Sequence, residues 1–320
     1  MALDSTAQMI VDGMSAHFPD LGGTVRDART ARSMLDALPR PTAEGVTLRR
    51  VADMSVPGRD GPDIPVRGYW PIADGPLPAI VFFHGGGFVL SSVDGHDAFA
   101  RKLAAGAGAV VLSVDYRLAP EHPFPAAADD AVAATEWVHS HFELLGIDPD
   151  RIAVAGDSAG GNLAAVTCLI ARDLGGPSAA AQLLIYPVLD ARQDSESYRR
   201  NANGYFLTST HMAWFWQQYL ADADPDNPVA SPMRAADLTN LPPAIIVVGE
   251  HDVLADDGRR YASRLASADN QVTLLDYPGM FHGFFGLGEH LPTAAQANRD
   301  VFDALTRLWS PSSPMSGHRA

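Results

Sequence analysis

The sequence predicts an α/β protein with a mostly parallel central sheet and helices on both of its faces. Short apolar runs alternate with helical stretches from residue 79 onward, which is typical of parallel strands joined by crossover helices. A serine flanked by glycines lies between one of these runs and a helix. With 320 residues, 47% of them apolar, the chain can bury one large core.

The predicted elements follow one another along the chain. Residues 1–44 are helical and partly apolar, and they precede the first strand. Strands are predicted at Val46–Val51, Ile64–Tyr69, Ala79–Phe83, Ala109–Val114, Arg151–Ala155, Ala181–Tyr186, Ala244–Val248 and Val272–Tyr277. An insert at about 189–223 interrupts the alternation. The tail, 311–320, is rich in serine and proline, and we expect it to be disordered.

The most informative motif is GDSAG at Gly156–Gly160, which follows the run Arg151–Ala155 and precedes a helical stretch from Asn162. A serine between a strand and a helix, flanked by small residues that let two backbones pass closely, fits a nucleophile elbow. Such a turn lifts the Ser158 hydroxyl out of the sheet, near a helix N-terminus that favours negative charge. The alternative is a glycine-rich turn that holds an ordinary serine.

A second glycine cluster follows another predicted strand. The run Ala79–Phe83 leads into His84–Phe88, which reads HGGGF. Glycines there allow backbone N–H groups to point into a cavity, and acyl transfer needs such donors because the carbonyl oxygen becomes an oxyanion. Ala159, the residue after the serine, would supply a further donor. A phosphate-binding loop is disfavoured, because neither G-x-G-x-x-G nor a P-loop lysine is present.

Two later strands end in groups that can assist a serine. Ala244–Val248 leads to Asp252, and Val272–Tyr277 leads to a loop that carries His282. Because the carboxyl ends of parallel strands meet at one edge of a sheet, we expect both side chains to lie near Ser158. The chain order serine, acid, histidine is one of the known orders of a catalytic triad. Glu250 and Asp256 are rival candidates for the acid.

Together these segments resemble the hormone-sensitive lipase family of carboxylesterases, the bacterial family IV type, which has the α/β-hydrolase fold. The segments that carry the resemblance are HGGGF at 84–88, DYRLAPE at 115–121, FPAA at 124–127, GDSAGG at 156–161, Asp252 with Leu254 and Asp256, and HGF at 282–284. The resemblance covers the chain from about Ala79 to His282. Val253 departs from it, because the family commonly has proline after the acid. We expect this difference to change the stiffness of the loop and to leave the chemistry intact.

The resemblance implies the role of each site residue. Ser158 is the expected nucleophile, His282 the base and Asp252 the acid. The implied oxyanion donors are the backbone amides of Gly85, Gly86 and Ala159. No metal or organic cofactor is implied.

The resemblance also implies a helical cap over the site, formed by residues 1–44 and by the insert at about 189–223, around a core that runs over 45–310. The insert carries an aromatic helix near Met212–Leu220, preceded by a capping threonine or serine. The expected substrate-pocket residues are Phe88, Tyr205, Phe206 and Phe215. For Trp214 and Tyr219, plain packing in the core stays open as an alternative.

Other polar residues near these motifs are expected to have structural roles. We expect His84 to brace the glycine loop through a hydrogen bond and Asp157 to accept a local hydrogen bond. Cys168, the one cysteine, is expected in the core, because nothing around it favours a reactive thiolate. The residues Arg117 and Glu121 should brace a loop, and the histidines at 96, 122 and 251 lack a place in the triad order.

Composition restricts the partners and the compartment. The net charge of −15 argues against nucleic acid and anionic membrane surfaces as partners. A single cysteine cannot form an intrachain disulfide. The first residues lack the pattern of a signal peptide, so we expect a cytoplasmic location. The expected partner is a small-molecule ester, with no membrane or nucleic acid, and a homodimer is left open.

The sequence thus predicts a serine carboxylesterase that hydrolyses short- to medium-chain acyl esters through an acyl-enzyme. Three alternatives remain: an amidase or deacetylase that uses the same triad, a non-catalytic ligand-binding relative, and a peptidase of similar topology.

Overall fold

A central sheet of eight strands organises the protein in the computed structural model, which describes residues 3–59 and 61–310. The strands are β1 (Arg50–Val56), β2 (Ile64–Trp70), β3 (Leu77–Phe83), β4 (Val110–Val114), β5 (Ile147–Asp157), β6 (Ala181–Ile185), β7 (Ala244–His251) and β8 (Val272–Phe281). Their order in the sheet is β1-β2-β4-β3-β5-β6-β7-β8. β2 runs antiparallel to both of its neighbours, and all other neighbours are parallel. The predicted α/β fold with a mostly parallel sheet is confirmed.

Helices cover both faces of this sheet. They are α1 (Ser5–His17), α2 (Ala28–Asp36), α3 (Asp97–Ala107), α4 (Ala126–Ser140), α5 (Phe142–Leu145), α6 (Ala159–Leu174), α7 (Glu196–Arg200), α8 (Ser209–Leu220), α9 (Ala255–Ser267) and α10 (Pro292–Trp309). α3 and α10 pack on one face, and α4, α6 and α9 pack on the other. Strands covered on both sides are mostly apolar, and β4 and β6 are buried at every position, including their polar residues Ser113 and Gln182.

The observed strands differ from the predicted ones mainly at their ends. The first strand, predicted at Val46–Val51, forms at Arg50–Val56. Its bounds follow its partner, because Arg50 pairs with Trp70 and Val56 pairs with Ile64 across the antiparallel register. β7 and β8 extend past their predicted runs to His251 and Phe281, because backbone pairing between the two strands continues to these residues.

The insert lies in the long connection between β6 and β7. Its helices α7 and α8 are followed by irregular chain and a short 3₁₀ helix at Pro232–Arg234, so the connection continues to residue 243. The hydroxyl of Thr208 accepts a hydrogen bond from the His211 amide at 3.1 Å, and the His211 ring accepts one from the Thr208 amide at 3.4 Å. This capping box starts α8 and confirms the predicted helix start.

The N-terminal segment packs against the insert. The Trp214 indole on α8 donates a hydrogen bond to the carbonyl oxygen of Arg26 at 2.9 Å. The Phe18 and Phe206 rings meet edge to face, with centroids 5.1 Å apart. Farther along, Arg32 donates to the carbonyl oxygen of Val89 at 2.7 Å, just past the glycine loop. The two segments therefore form one layer that reaches the loop after β3.

The predicted disordered tail, 311–320, lies outside the described residues. Within residues 3–59 and 61–310, no helix combines the length and the apolar composition needed to cross a membrane.

Candidate active site

The three predicted triad residues meet at one edge of the sheet. The Ser158 hydroxyl lies 3.0 Å from His282 Nε2, and His282 Nδ1 lies 2.7 Å from Asp252 Oδ2. Ser158 follows β5, Asp252 follows β7 and His282 follows β8, so each side chain lies directly after the carboxyl end of one of three parallel strands. All three residues are buried, which strengthens the hydrogen bonds between them.

Ser158 lies in a strained turn that only glycines on both sides permit. β5 ends at Asp157 and α6 begins at Ala159, so the serine forms the whole turn, with φ 56°. A Cβ on Gly160 would lie 1.8 Å from the carbonyl oxygen of Phe83, and one on Gly156 would lie 2.2 Å from the Gly160 carbonyl. The predicted strand–turn–helix context is confirmed.

The hydrogen bonds of Asp252 fix the tautomer of His282. Its Oδ1 accepts from the Leu254 amide at 2.9 Å, and its Oδ2 faces His282 Nδ1. An ionised carboxylate is an acceptor only, so Nδ1 carries the hydrogen and Nε2 is the free base that faces Ser158. The imidazole is therefore oriented to take a proton from the serine hydroxyl.

The two rival acids have other contacts. The Glu250 carboxylate accepts a hydrogen bond from the Gly279 amide at 2.9 Å. Asp256 accepts one from the Ser197 amide at 2.9 Å. Of the three carboxylates, Asp252 is the one that hydrogen-bonds His282.

The glycine loop corrects one predicted oxyanion donor. The Gly85 amide, predicted to face the substrate, donates instead to Asp157 Oδ1 at 2.8 Å. In the described part of the chain, the amides of Gly86, Gly87 and Ala159 have no hydrogen-bond partner. Ala159 is the first residue of α6, where amides lack a helical acceptor. The prediction for Gly85 is therefore wrong, and Gly87 is the second unpaired amide of the loop.

Most of the chain matches a known protein family. The model of a family described as having the alpha/beta hydrolase fold matches residues 80–286. The chain belongs to the α/β-hydrolase family.

Several of its relatives are named as esterases or ester hydrolases. Carboxylesterase NlhH of Mycobacterium tuberculosis is 42% identical over 311 residues, which cover 95% of this chain and 96% of the relative. Ethyl acetate hydrolase of Pseudomonas putida is 36% identical over 90% of this chain and 98% of its own length. The structure of a hyperthermophilic esterase from the archaeon Pyrobaculum calidifontis superposes with a TM-score of 0.88 at 39% identity, covering 96% of this chain and 99% of that one. The family and these relatives identify the chain as a hydrolase.

The Asp157 carboxylate of this hydrolase belongs to a buried polar network. It faces His96 Nε2 at 3.4 Å, and His96 Nδ1 lies 2.9 Å from the Ser91 hydroxyl. Burial favours the neutral acid, but His96, His84 and the Gly85 amide together outweigh it and lower the pKa of Asp157. The carboxylate therefore stays ionised beneath the loop, as the predicted local acceptor.

His84 braces the same loop from the other side. Its Nδ1 donates to the carbonyl oxygen of Gly85 at 2.7 Å, and its ring stacks on Tyr116 with centroids 4.4 Å apart. The Tyr116 hydroxyl donates to the His84 carbonyl oxygen at 2.7 Å. Burial lowers the pKa of His84 to about 3, so the ring is neutral and the predicted bracing contact is present.

The predicted pocket residues divide into two kinds. Phe88 is 1% exposed and its ring stacks on that of Tyr219 with centroids 3.8 Å apart, and its place on a closed pocket stays a prediction. Phe215 is also buried, and its ring occupies the space that a Cβ on Gly87 would need. Tyr205 and Phe206 are half-buried. The rings of Phe88 and Tyr219 are thus buried against each other, whereas Tyr205 and Phe206 are partly exposed to solvent.

Two residues close to the triad are not predicted from the sequence. Tyr186 follows β6 with φ 36°, and its ring packs on the His282 imidazole with centroids 4.6 Å apart. Asn201, at the end of α7, donates hydrogen bonds to the backbone around Asp252. Neither residue belongs to a local motif. The sequence shows Asn201 only as one polar residue among several in the insert, which does not predict its contact with the backbone around Asp252.

Cys168 is buried in the core, as predicted. Burial raises the pKa of its thiol to about 12, so the thiol stays protonated and unreactive. In the described ranges, no group of three or more potential metal ligands comes together.

We predict that His84 makes the enzyme less stable in mild acid. In the unfolded protein His84 gains a proton near pH 6.5, whereas in the folded protein its ring stays neutral down to about pH 3. The unfolded state therefore binds more protons as pH falls through this window, and stability is lost at about 1.4 kcal/mol per pH unit. Urea unfolding should show a loss of about 2 kcal/mol between pH 7 and 5 from this group. The loss should shrink in His84→Asn and persist in His290→Asn, which alters an exposed histidine. Equal slopes in all three proteins would contradict the assignment.

Proposed function

We propose that this hydrolase cleaves carboxylic esters through an acyl-enzyme formed on Ser158. The observation that carries the proposal is the hydrogen-bonded chain from Ser158 through His282 to Asp252, with distances of 3.0 and 2.7 Å. A nucleophile, a base and an orienting acid in this geometry are the parts that acyl transfer needs. The names of the relatives, a carboxylesterase and an ethyl acetate hydrolase among them, support an ester as the substrate.

The first half-reaction forms the acyl-enzyme. Ser158 Oγ attacks the ester carbonyl carbon while His282 Nε2 takes the hydroxyl proton. Asp252 accepts from Nδ1 and stabilises the imidazolium that results. The tetrahedral intermediate then collapses, the C–O bond to the alcohol breaks, and the alcohol leaves with the proton held by His282.

The second half-reaction releases the acid. Water attacks the acyl carbon, and His282 takes its proton as a general base. Collapse of this second intermediate returns the proton to Ser158 and frees the carboxylic acid. The histidine thus carries one proton in each direction per half-reaction and ends in its starting state.

The proposed oxyanion donors are the amides of Gly86, Gly87 and Ala159. Their N–H groups lack a partner among the described residues, whereas the Gly85 amide is held by Asp157. Donors fixed before the reaction stabilise the developing charge without reorganising. Gly86, with φ 116°, could not carry a side chain, because a Cβ would lie 2.2 Å from the Leu90 carbonyl oxygen.

We also propose that residues 1–44 and the insert at about 189–223 form a cap that limits the size of the acyl group. The contacts between Trp214 and Arg26 and between Phe18 and Phe206 support this, because they join the two segments. The low exposure of Ser158, 7%, supports a substrate that is enclosed when it binds. Short- to medium-chain acyl esters fit such an enclosure best.

The nucleophile can be tested directly. Ser158→Ala should lower kcat by roughly 10³-fold or more and leave the fold intact, because triad members act as a unit. Mass spectrometry after treatment with an organophosphonate should place the adduct on the peptide that contains Ser158. Ser113→Ala, which alters a buried serine in the middle of β4, is the control and should keep most of the activity. An adduct elsewhere, or an active Ser158→Ala, would falsify the proposal.

The acid can be identified by three amide substitutions. Asp252→Asn should lower kcat by about 10⁴-fold, because the imidazole loses its orienting partner and takes the wrong tautomer. Glu250→Gln and Asp256→Asn should cost far less, because each new amide keeps an oxygen that can accept the backbone hydrogen bond now made to the carboxylate. Steady-state kinetics on one ester compare the three. A crippled Asp256→Asn beside an active Asp252→Asn would mean that the acid is misassigned.

Substrate size tests the cap. Each methylene added to the acyl chain should improve binding by about 0.8 kcal/mol until the chain meets a wall. Beyond that point, overpacking should cost about 1–3 kcal/mol. We expect kcat/KM to peak at roughly four to eight acyl carbons and to fall steeply by about twelve. A series of p-nitrophenyl esters from acetate to palmitate measures this. A maximum at palmitate, or a rate increase on emulsified triglyceride, would exclude the enclosed pocket.

A further inference from the structure

A five-residue helix of the insert, α7, contacts the turn that holds Asp252. We name residues 250–256 the acid turn. Asn201, at the end of α7, is buried, and its Nδ2 donates to the carbonyl oxygens of Glu250 at 2.9 Å and Asp252 at 2.8 Å. One side chain of the insert therefore satisfies two backbone acceptors, one of them on the acid itself.

Ser197 holds the other half of the acid turn. Its hydroxyl donates to the Val253 carbonyl oxygen at 2.6 Å and accepts from the Asp256 amide at 3.1 Å. Its own backbone amide donates to Asp256 Oδ2 at 2.9 Å. A hydroxyl has one hydrogen, so Ser195, whose Oγ lies 3.0 Å away, donates its hydrogen to Ser197. The Ser197 hydroxyl therefore donates one hydrogen bond, to Val253, and accepts two, from the Asp256 amide and from Ser195.

Part of the acid turn is held from outside the turn. Between the end of β7 at His251 and the start of α9 at Ala255, the Asp252 and Leu254 carbonyl oxygens accept from the amides of Ala255 at 3.2 Å and Gly258 at 3.3 Å. The Val253 carbonyl oxygen accepts instead from the Ser197 hydroxyl. Val253 lacks the fixed φ that a proline would give. Within the turn, the Asp252 carboxylate is held by the Leu254 amide. The backbone that carries it is held by α7.

We propose that Asn201 and Ser197 are positioning residues that set the orientation of Asp252, so that the insert and the catalytic acid act as one mechanical unit. This inference rests on the proposed function, in which Asp252 orients His282. A displacement of about 1 Å at a catalytic group can cost on the order of 100-fold in rate. The insert thus contributes to the chemical step as well as to the shape of the pocket.

The insert is also coupled to the rest of the proposed cap. Tyr205 stacks on His251 with centroids 4.5 Å apart, and the Ser209 hydroxyl at the start of α8 donates to the Tyr198 carbonyl oxygen at 2.8 Å. α7 therefore lies between the aromatic helix α8 and the acid turn. A shift of the insert when substrate enters would reach Asp252 through hydrogen bonds of 2.6–2.9 Å.

The test is Asn201→Leu, which keeps the size of the side chain and removes both donors. We expect kcat to fall roughly 10- to 100-fold, with little change in KM, because the defect lies in transition-state stabilisation. The matched control is Asn270→Leu. Asn270 Nδ2 also bridges two carbonyl oxygens, those of Leu238 at 2.6 Å and Leu265 at 3.0 Å, at the opposite edge of the sheet. Both variants should lose thermal stability, and only Asn201→Leu should lose kcat.

A double-mutant cycle separates positioning from general support of the fold. If Asn201 acts through Asp252, then Asn201→Leu should cost almost nothing once Asp252→Asn is present. Losses that multiply in the double variant would overturn the proposal, as would equal kcat in Asn201→Leu and Asn270→Leu. If the Asp252→Asn single variant keeps its activity, the result contradicts the proposed triad itself. That outcome is distinguishable from a failure of the Asn201 proposal, because it appears without any change at Asn201.

A smaller change keeps the proposal testable if Asn201→Leu does not fold. Ser197→Ala removes one hydroxyl, and its expected cost is roughly tenfold in kcat, again absent in the Asp252→Asn background. Wild-type kcat in a folded Ser197→Ala would count against the role of Ser197, and a multiplicative double variant would reject the coupling.

Discussion

A single buried carboxylate, that of Asp157, joins the segment that carries the proposed nucleophile to the segment that carries two of the proposed oxyanion donors. It precedes Ser158 in the strained turn, and it accepts the Gly85 amide at the start of the glycine loop. Ser158, the proposed nucleophile, lies one residue after Asp157, and the unpaired Gly86 and Gly87 amides lie one and two residues after Gly85 in the glycine loop. Burying a charge is costly, but His96 and the Gly85 amide offset that cost here. The bond thereby fixes the position of Ser158 relative to the proposed oxyanion donors before any substrate arrives.

The sheet makes this bond possible. β3 and β5 are neighbours, and Phe83 pairs with Gly156, so the residues that follow each strand emerge side by side. Gly160 brings α6 against the Phe83 carbonyl more closely than any side chain would allow. The same register that builds the core therefore determines the site. A larger residue at Gly160 would separate the strand that carries the glycine loop from the helix that carries the Ala159 amide.

Residues with a local signature were predictable, and residues defined by long-range contacts were not. Ser158, Asp252 and His282 follow apolar strands, so hydrophobic pattern and chain order were sufficient to bring them together. Gly85 was assigned incorrectly because its amide is taken by a side chain 72 positions away, which no local pattern reveals. The stacking of Phe88 on Tyr219, 131 positions away, is likewise a long-range contact that no local pattern reveals. The fold class needed only the alternation of elements, whereas strand ends depended on pairing partners.

The residues of the insert make two kinds of contact: some hydrogen-bond the acid turn, and others keep partly exposed aromatic rings. Ser197 and Asn201 are buried and direct hydrogen bonds at the acid turn, which is the basis of their proposed positioning role. Phe206 keeps a partly open face and makes no hydrogen bond to the acid turn, whereas Tyr205, also partly open, stacks on His251 of that turn. Tyr186 joins the two roles, because it packs on the His282 ring in a strained backbone conformation. Under the proposed roles, a change of Phe206 would alter the substrate range while α7 still holds the acid turn through Ser197 and Asn201.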